Sequence, residues 1–167
     1  LDGVRSSSFW ARSKILPELQ IDEAAQASSD GQCQIEVVEN NSWIIFGTTI
    51  KEPKNIIVTE SMHGEAQWFD DNIIFEINGK EMFSVQTNPL GALVININGK
   101  PKITPITDEK IKVCARINES SWRSELAIHK SLLGEDLTNL KCHIVRQRQH
   151  RGFDAYQTSS LQIILGA

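Results

Sequence analysis

A succession of short runs rich in β-branched and aromatic residues, each closed by turn-forming residues, sets the main limit on what this chain can fold into. The runs span 34–38, 43–50, 73–77, 82–86, 93–97, 111–117, 123–128, 142–146 and 161–165. Asn78-Gly79 and Asn98-Gly99 offer the left-handed conformations that tight hairpins require. Residues 39–42 (Glu-Asn-Asn-Ser) close an earlier hairpin and 118–121 (Asn-Glu-Ser-Ser) a later one. One stretch reads as helical, 130–139, with Leu132, Leu133 and Leu137 and an interrupting Gly134; it predicts a short helical connection. Strands at roughly 8–12-residue spacing joined by hairpin turns predict an all-β fold, an antiparallel two-sheet β-sandwich of jelly-roll type. Alternation is imperfect at 43–47 and 72–77, as it is for strands in the middle of a two-sheet core. The 167 residues show no repeat, low-complexity tract or linker, so 1–167 reads as a single domain long enough to bury a two-layer core. The chain opens Leu1-Asp2-Gly3 without an initiator Met or signal peptide, which reads as a trimmed chain or a piece of a longer protein.

Charge and cysteine usage narrow the partners. A net charge of −4 argues against nucleic acid, whose phosphates reward an excess of Lys and Arg. The basic stretch 146–151 (Arg-Gln-Arg-Gln-His-Arg) reads as a solvated loop, with a polyanion site as the alternative. No apolar run approaches the roughly 20 residues of a membrane-spanning helix. Cys33, Cys114 and Cys142 form no metal-ligand spacing, and Cys114 and Cys142 lie in apolar runs where buried free thiols are expected.

Catalytic signatures are missing: there is no G-x-S-x-G, no H-E-x-x-H and no phosphate-cradling glycine loop. His63, His129, His143 and His150 share no metal-ligand spacing; His63 reads as a surface loop residue, and His143 lies in a strand whose facing is open. Asp70-Asp71 follows Trp68-Phe69, and two carboxylates at a strand entrance either cap a turn or contribute to a calcium site. Of the four tryptophans, Trp43 opens an apolar strand and reads as core. Trp68 stands among Gln67, Asp70 and Asp71, where an exposed ring beside acceptors suits the flat C–H face of a sugar.

The order of several segments resembles family 9 carbohydrate-binding modules over nearly the whole chain. Asp2-Gly3 followed by Trp10 is similar to the family's start, and 37–46 resembles its strand, acidic turn and aromatic-led strand. Residues 68–75 resemble its Trp-x-x-Asp-x-Val-Glu-Ile segment, and Asn88-Pro89-Leu90-Gly91 its Asn-Pro-x-Gly turn. Residues 122–128 look like its Trp-x-x-Glu-x-Ala-Ile strand, 143–146 the strand ending in Arg, and 161–165 the closing strand. The architecture is shared with the wider DOMON-like superfamily, which includes sugar- and haem-binding domains.

The resemblance implies a non-catalytic, secreted domain, extracellular or periplasmic, that binds the ends of an oligo- or polysaccharide. It implies structural calcium as an option and a catalytic domain in the same longer chain. It places the sugar at a shallow rim of Trp68, Gln86, Asn88 and Tyr156, with Asp70 and Asp71 as candidate calcium ligands. Departures accompany it: Ile74 stands where the family's Glu is expected, Gln86 where its Arg is expected, Tyr156 takes the place of a second Trp, and His129 replaces a proline. Those departures leave open a structural or interaction domain that has lost sugar binding. A haem-binding alternative would use Met62, Met82 or His129 as axial ligands. Glu125 and Arg146, both in strands next to the core, are expected to form a structural salt bridge, because a lone buried charge is costly.

Overall fold

The computed structural model of the chain describes residues 3, 8–17, 20–21, 33–52, 56–59, 61–65, 70–101, 110–134, 140–149 and 157–165. Among these, two antiparallel sheets form a sandwich. The five-stranded sheet runs β1 (Lys14–Ile15), β3 (Cys33–Glu39), β4 (Trp43–Lys51), β10 (Ser121–His129), β9 (Ile111–Ile117). The seven-stranded sheet runs β2 (Gln20–Ile21), β12 (Gln157–Leu165), β11 (Leu140–Arg148), β5 (Asn72–Asn78), β6 (Met82–Thr87), β7 (Leu93–Ile97), β8 (Lys100–Pro101). Every run read as a strand in the sequence is one. The two-residue strands β1, β2 and β8 are too short to carry a periodicity.

Strand alternation sorts the residues into faces. Ile44, Phe46, Ile50, Leu126 and Ile128 point inward from one sheet, and Ile73, Phe75, Ile77, Val85 and Ile144 from the other. Phe46 and Phe75 meet across the interlayer with ring centroids 4.6 Å apart. The long hairpins use the foreseen turns. Asn40 Oδ1 accepts from the backbone N–H of Ser42 and Trp43 at 2.9 and 2.8 Å, and the Asn118 N–H donates to the Ser121 carbonyl at 2.8 Å.

The two Asn-Gly pairs differ. Asn98 (φ 52) and Gly99 (φ 75) are both left-handed, as a tight hairpin of this kind requires. Gly79 is not left-handed; a Cβ there would collide with the Leu133 carbonyl oxygen, so glycine is needed for close approach. The helical connection is also shorter than expected. A 3-10 turn spans Lys130–Leu132, capped by the His129 imidazole accepting from the Ser131 N–H, and Gly134 (φ 106) follows it; 135–139 lie outside the described residues.

The middle of the outer face of the five-stranded sheet is covered by the segment that carries a second 3-10 turn, Ser8–Arg12. Trp10 lies on Gly47 of β4, where a Cβ would stand 2.6 Å from the indole ring. The indole is 3% exposed, its N–H donates to Glu125 Oε1 at 2.9 Å, and the Arg123 guanidinium stacks 4.7 Å from its ring. Arg123 also lies 3.4 Å from Glu125 and 3.6 Å from Glu36, and donates to Thr49 Oγ1 at 2.7 Å. Trp43, expected in the core, is half-buried on this outer side, edge-on to His129 and beside Lys112.

The expected Glu125–Arg146 pair is replaced by two separate arrangements. Glu125 shares the outer face with Trp10 and Arg123, whereas Arg146 continues the inward row of Leu140, Cys142 and Ile144 on β11. Alternation therefore sets the two charges on opposite sides of the five-stranded sheet. Arg146 and Arg148 instead reach Glu52, the inward residue just past β4. Arg148 grips Glu52 with two bonds of 2.7 Å, and Arg146 stands 3.7 Å away. The basic stretch read as a solvated loop is thus a buried clasp between the sheets at its Arg146 and Arg148 positions. Burial lowers the Arg146 pKa and neighbouring Arg148 adds to this, against the opposing pull of Cys33, Glu52 and Asp71.

Candidate functional site

With the middle of one outer face covered, the outer face of the seven-stranded sheet is where side chains meet solvent in numbers. Register arranges them in rows across the strands. The middle row is polar throughout: Asn96 on β7, Ser84 on β6, Glu76 on β5, His143 on β11 and Gln162 on β12. The row beside it holds Met82, Asn78, Lys141 and Ile164, all exposed. On its other side lies a row that is apolar apart from Gln86, with Val94, Ile74 and Val145, all half-buried.

A cleft of about 500 Å³ opens on this face, lined by Glu76, Asn78, Met82, Lys141, His143 and Gln162 among others. At its centre His143 Nδ1 stands 3.0 Å from Glu76 Oε2, a cross-strand pair with both side chains still more than a third exposed. When Nδ1 carries the proton it donates to the carboxylate, leaving Nε2 and the second carboxylate oxygen to face solvent. Ile164 is 52% and Met82 46% exposed, apolar surface next to polar groups. Beneath the cleft Cys142 is buried, and burial pushes its thiol up to about 12, with the Glu76 carboxylate adding to the rise. The thiol of half-buried Cys33 is likewise pushed up to about 12 by burial, and all three cysteines are free.

Of the residues singled out in the sequence, Gln86 lies on this face, opposite Ile74 on β5 and Val94 on β7. Trp68 and Tyr156 lie outside the described residues. Asn88 is not at a rim. It is fully buried, donates to Asp70 Oδ2 at 2.8 Å and accepts from the Leu90 and Ala92 N–H groups, so its amide organises the turn that Gly91 (φ 76) completes.

Asp70 and Asp71 are buried too, and their carboxylate oxygens are engaged as acceptors. Asp70 takes the Thr59 N–H and hydroxyl, and Asp71 takes the Ile57 and Gln149 N–H groups at 2.9 and 2.7 Å. They fasten the 56–59 segment and the end of β11 to the entrance of β5, the turn-capping alternative. Among the described residues no group of three or more His, Cys, Asp or Glu could hold a metal ion.

The haem ligands do not converge. His129 packs on Trp43 of the other sheet, and Met62 neighbours His63, whose Nδ1 accepts from the Leu93 N–H. Leu93 pairs with Thr87, about 17 Å along β6 from Met82.

The polar row itself was missed in the sequence. Its signal was there: Glu76 sits between Phe75 and Ile77, and His143 between Cys142 and Ile144, so both must face away from the core. Only the pairing of non-consecutive β5 and β11 brings them together, and that is not a sequence-local property.

The molecule is a two-sheet sandwich with one outer face covered over its middle and the other open. Its fold is like that of carbohydrate-binding modules. A candidate carbohydrate-binding protein from Bacteroides uniformis is similar over 91% of this chain and 78% of its own, with a TM-score of 0.71 at 14% identity. A family 9 carbohydrate-binding module from Caldicellulosiruptor kristjanssonii, in complex with cellotriose, is similar over 95% of this chain and 77% of its own, with a TM-score of 0.65 at 10% identity. A glucose complex of a family 9 module from the same organism gives a TM-score of 0.64 at 10% identity, over 95% and 78% of the two chains. No protein-family model matches the chain, and no curated protein matches it in sequence. Among the described residues no helix is long and apolar enough to cross a membrane.

Proposed function

We propose that this chain is a non-catalytic carbohydrate-binding domain that holds its glycan on the outer face of the seven-stranded sheet. The observation that carries the reading is the asymmetry of the sandwich: Trp10 and its charged partners cover the middle of one outer face, while the other bears an open cleft lined by amides, a carboxylate, an imidazole and exposed apolar side chains. Such groups suit hydroxyls and the C–H faces of sugar rings. The likeness in fold to modules solved with cellotriose and glucose supports the same reading. In this proposal the domain is secreted, works outside the cytoplasm alongside a glycan-degrading catalytic domain, and leaves the chemistry to that partner. Trp68, which lies outside the described residues, is the aromatic side chain proposed to stack on the sugar.

A shallow face with one or two aromatic contacts supports affinities of roughly millimolar to tens of micromolar, about 4 to 7 kcal/mol. A glycan array followed by titration, with and without calcium, tests the proposal. Wild type binds at least one glycan, and Trp68→Ala loses that binding with its circular dichroism unchanged. A wild type that binds no glycan under either condition overturns the proposal. It would favour a structural domain, a reading that the apolar Ile74, opposite Gln86 and Val145, supports.

A further inference from the structure

We infer that the polar row across the seven-stranded sheet is a binding track for the middle of a neutral, linear polysaccharide chain, lying across the strands. The inference rests on the carbohydrate-binding reading and deepens it. Recognition of a chain end needs a closed pocket that stops the chain. The row Asn96–Ser84–Glu76–His143–Gln162 instead crosses five adjacent strands, about 19 Å at strand spacing.

Each member of the row is an amide, hydroxyl, carboxylate or imidazole, so hydroxyls at successive positions along a chain find donors and acceptors at each strand. Exposed Met82 and Ile164 in the neighbouring row offer apolar surface along one flank, and half-buried Val94, Ile74 and Val145 border the other. A polyuronate would set its carboxylates against Glu76 at the centre of the track, while the cation of exposed Lys141 stands one row away, so an uncharged chain fits the track better. Glu76 is held in place by His143 at 3.0 Å, and this fixes the acceptor geometry at the middle of the track.

Affinity electrophoresis tests the track, in gels containing hydroxyethyl cellulose, xylan, glucomannan or, for comparison, polygalacturonate. Wild type is retarded by at least one neutral polysaccharide, and borohydride reduction of that polymer's ends leaves retardation unchanged. Asn96→Ala and Gln162→Ala, at opposite ends of the row and both outside the core, each weaken retention by roughly three- to tenfold, the loss of one hydrogen bond. Several results would overturn the track while leaving glycan binding intact: small sugars bound in titration but no gel retarding the protein, retardation abolished by end reduction or seen with polygalacturonate alone, or full retention by Asn96→Ala. Failure of both the gels and the array would remove the carbohydrate reading as well.

Discussion

Replacing Glu52 by Ala is expected to destabilise the domain by about 3–5 kcal/mol, the range for removing one partner of a buried ion pair. Glu52 is 1% exposed and faces two guanidiniums from the opposite sheet, Arg148 at 2.7 Å through both of its oxygens and Arg146 at 3.7 Å. Without the carboxylate, two like charges remain side by side at the mouth of the interlayer and lose the acid that both of them face. Urea unfolding followed by circular dichroism measures the loss. Arg148→Ala should fall in a similar range, and the double variant Glu52→Ala/Arg148→Ala should cost less than the two singles added, because the residues share one network. A shift below about 1 kcal/mol for Glu52→Ala is the value typical of exposed pairs and would show that the clasp is solvated.

Trp10→Ala is expected to cost about 3 kcal/mol, the lower end of the range for truncating a buried aromatic, since the cavity it leaves opens toward solvent. The ring covers Gly47, stacks on Arg123 and donates to Glu125, so its loss uncovers three charged side chains along with the apolar surface of Val38 and Ile45. Gly47→Ala examines the same contact from below. It deletes nothing, yet its methyl meets both the indole and the guanidinium at under 3 Å, so it should lower the urea midpoint and shift Trp fluorescence to the red. Midpoints unchanged from wild type in both variants would mean that the Ser8–Arg12 segment does not cover this face.

The strands and most of their turns were legible because they are local. A run such as 43–50 announces its length and its β-branched content within itself, and Asn40 and Asn118 mark their hairpins. What failed was what depends on non-local pairing or on facing. Glu125 and Arg146 read as partners because both sit in core-bordering strands, but one-residue parity sends Glu125 to the covered face and Arg146 into the interlayer. The same parity, applied to 142–148, would have placed Arg146 and Arg148 inward with Cys142 and Ile144 and called for an acid to meet them. Glu52, an even-numbered acid beyond the inward Ile44, Phe46 and Ile50, was the candidate.

Asn88, Asp70 and Asp71 illustrate a second limit. Polar residues near an aromatic look alike in sequence whether they meet a ligand or the backbone. Here they hold loops together through short bonds to Thr59, Ile57, Leu90 and Gln149. Of the predicted rim, Gln86 reaches the open face, and the Glu76–His143 pair on the same face joins β5 to the non-consecutive β11, a pairing that no local signal marks.

The most direct test of the central claim is a map of amide chemical shifts on the nitrogen-15-labelled domain during titration with cellotriose and with the best-bound glycan of the array. Perturbations concentrated at Glu76, Ser84, Gln86, His143 and Gln162, with β4 and β10 unmoved, are the result predicted for a glycan on the open face of the seven-stranded sheet. Perturbations concentrated around Trp10, Gly47 and Arg123, or none at saturating glycan, would contradict it.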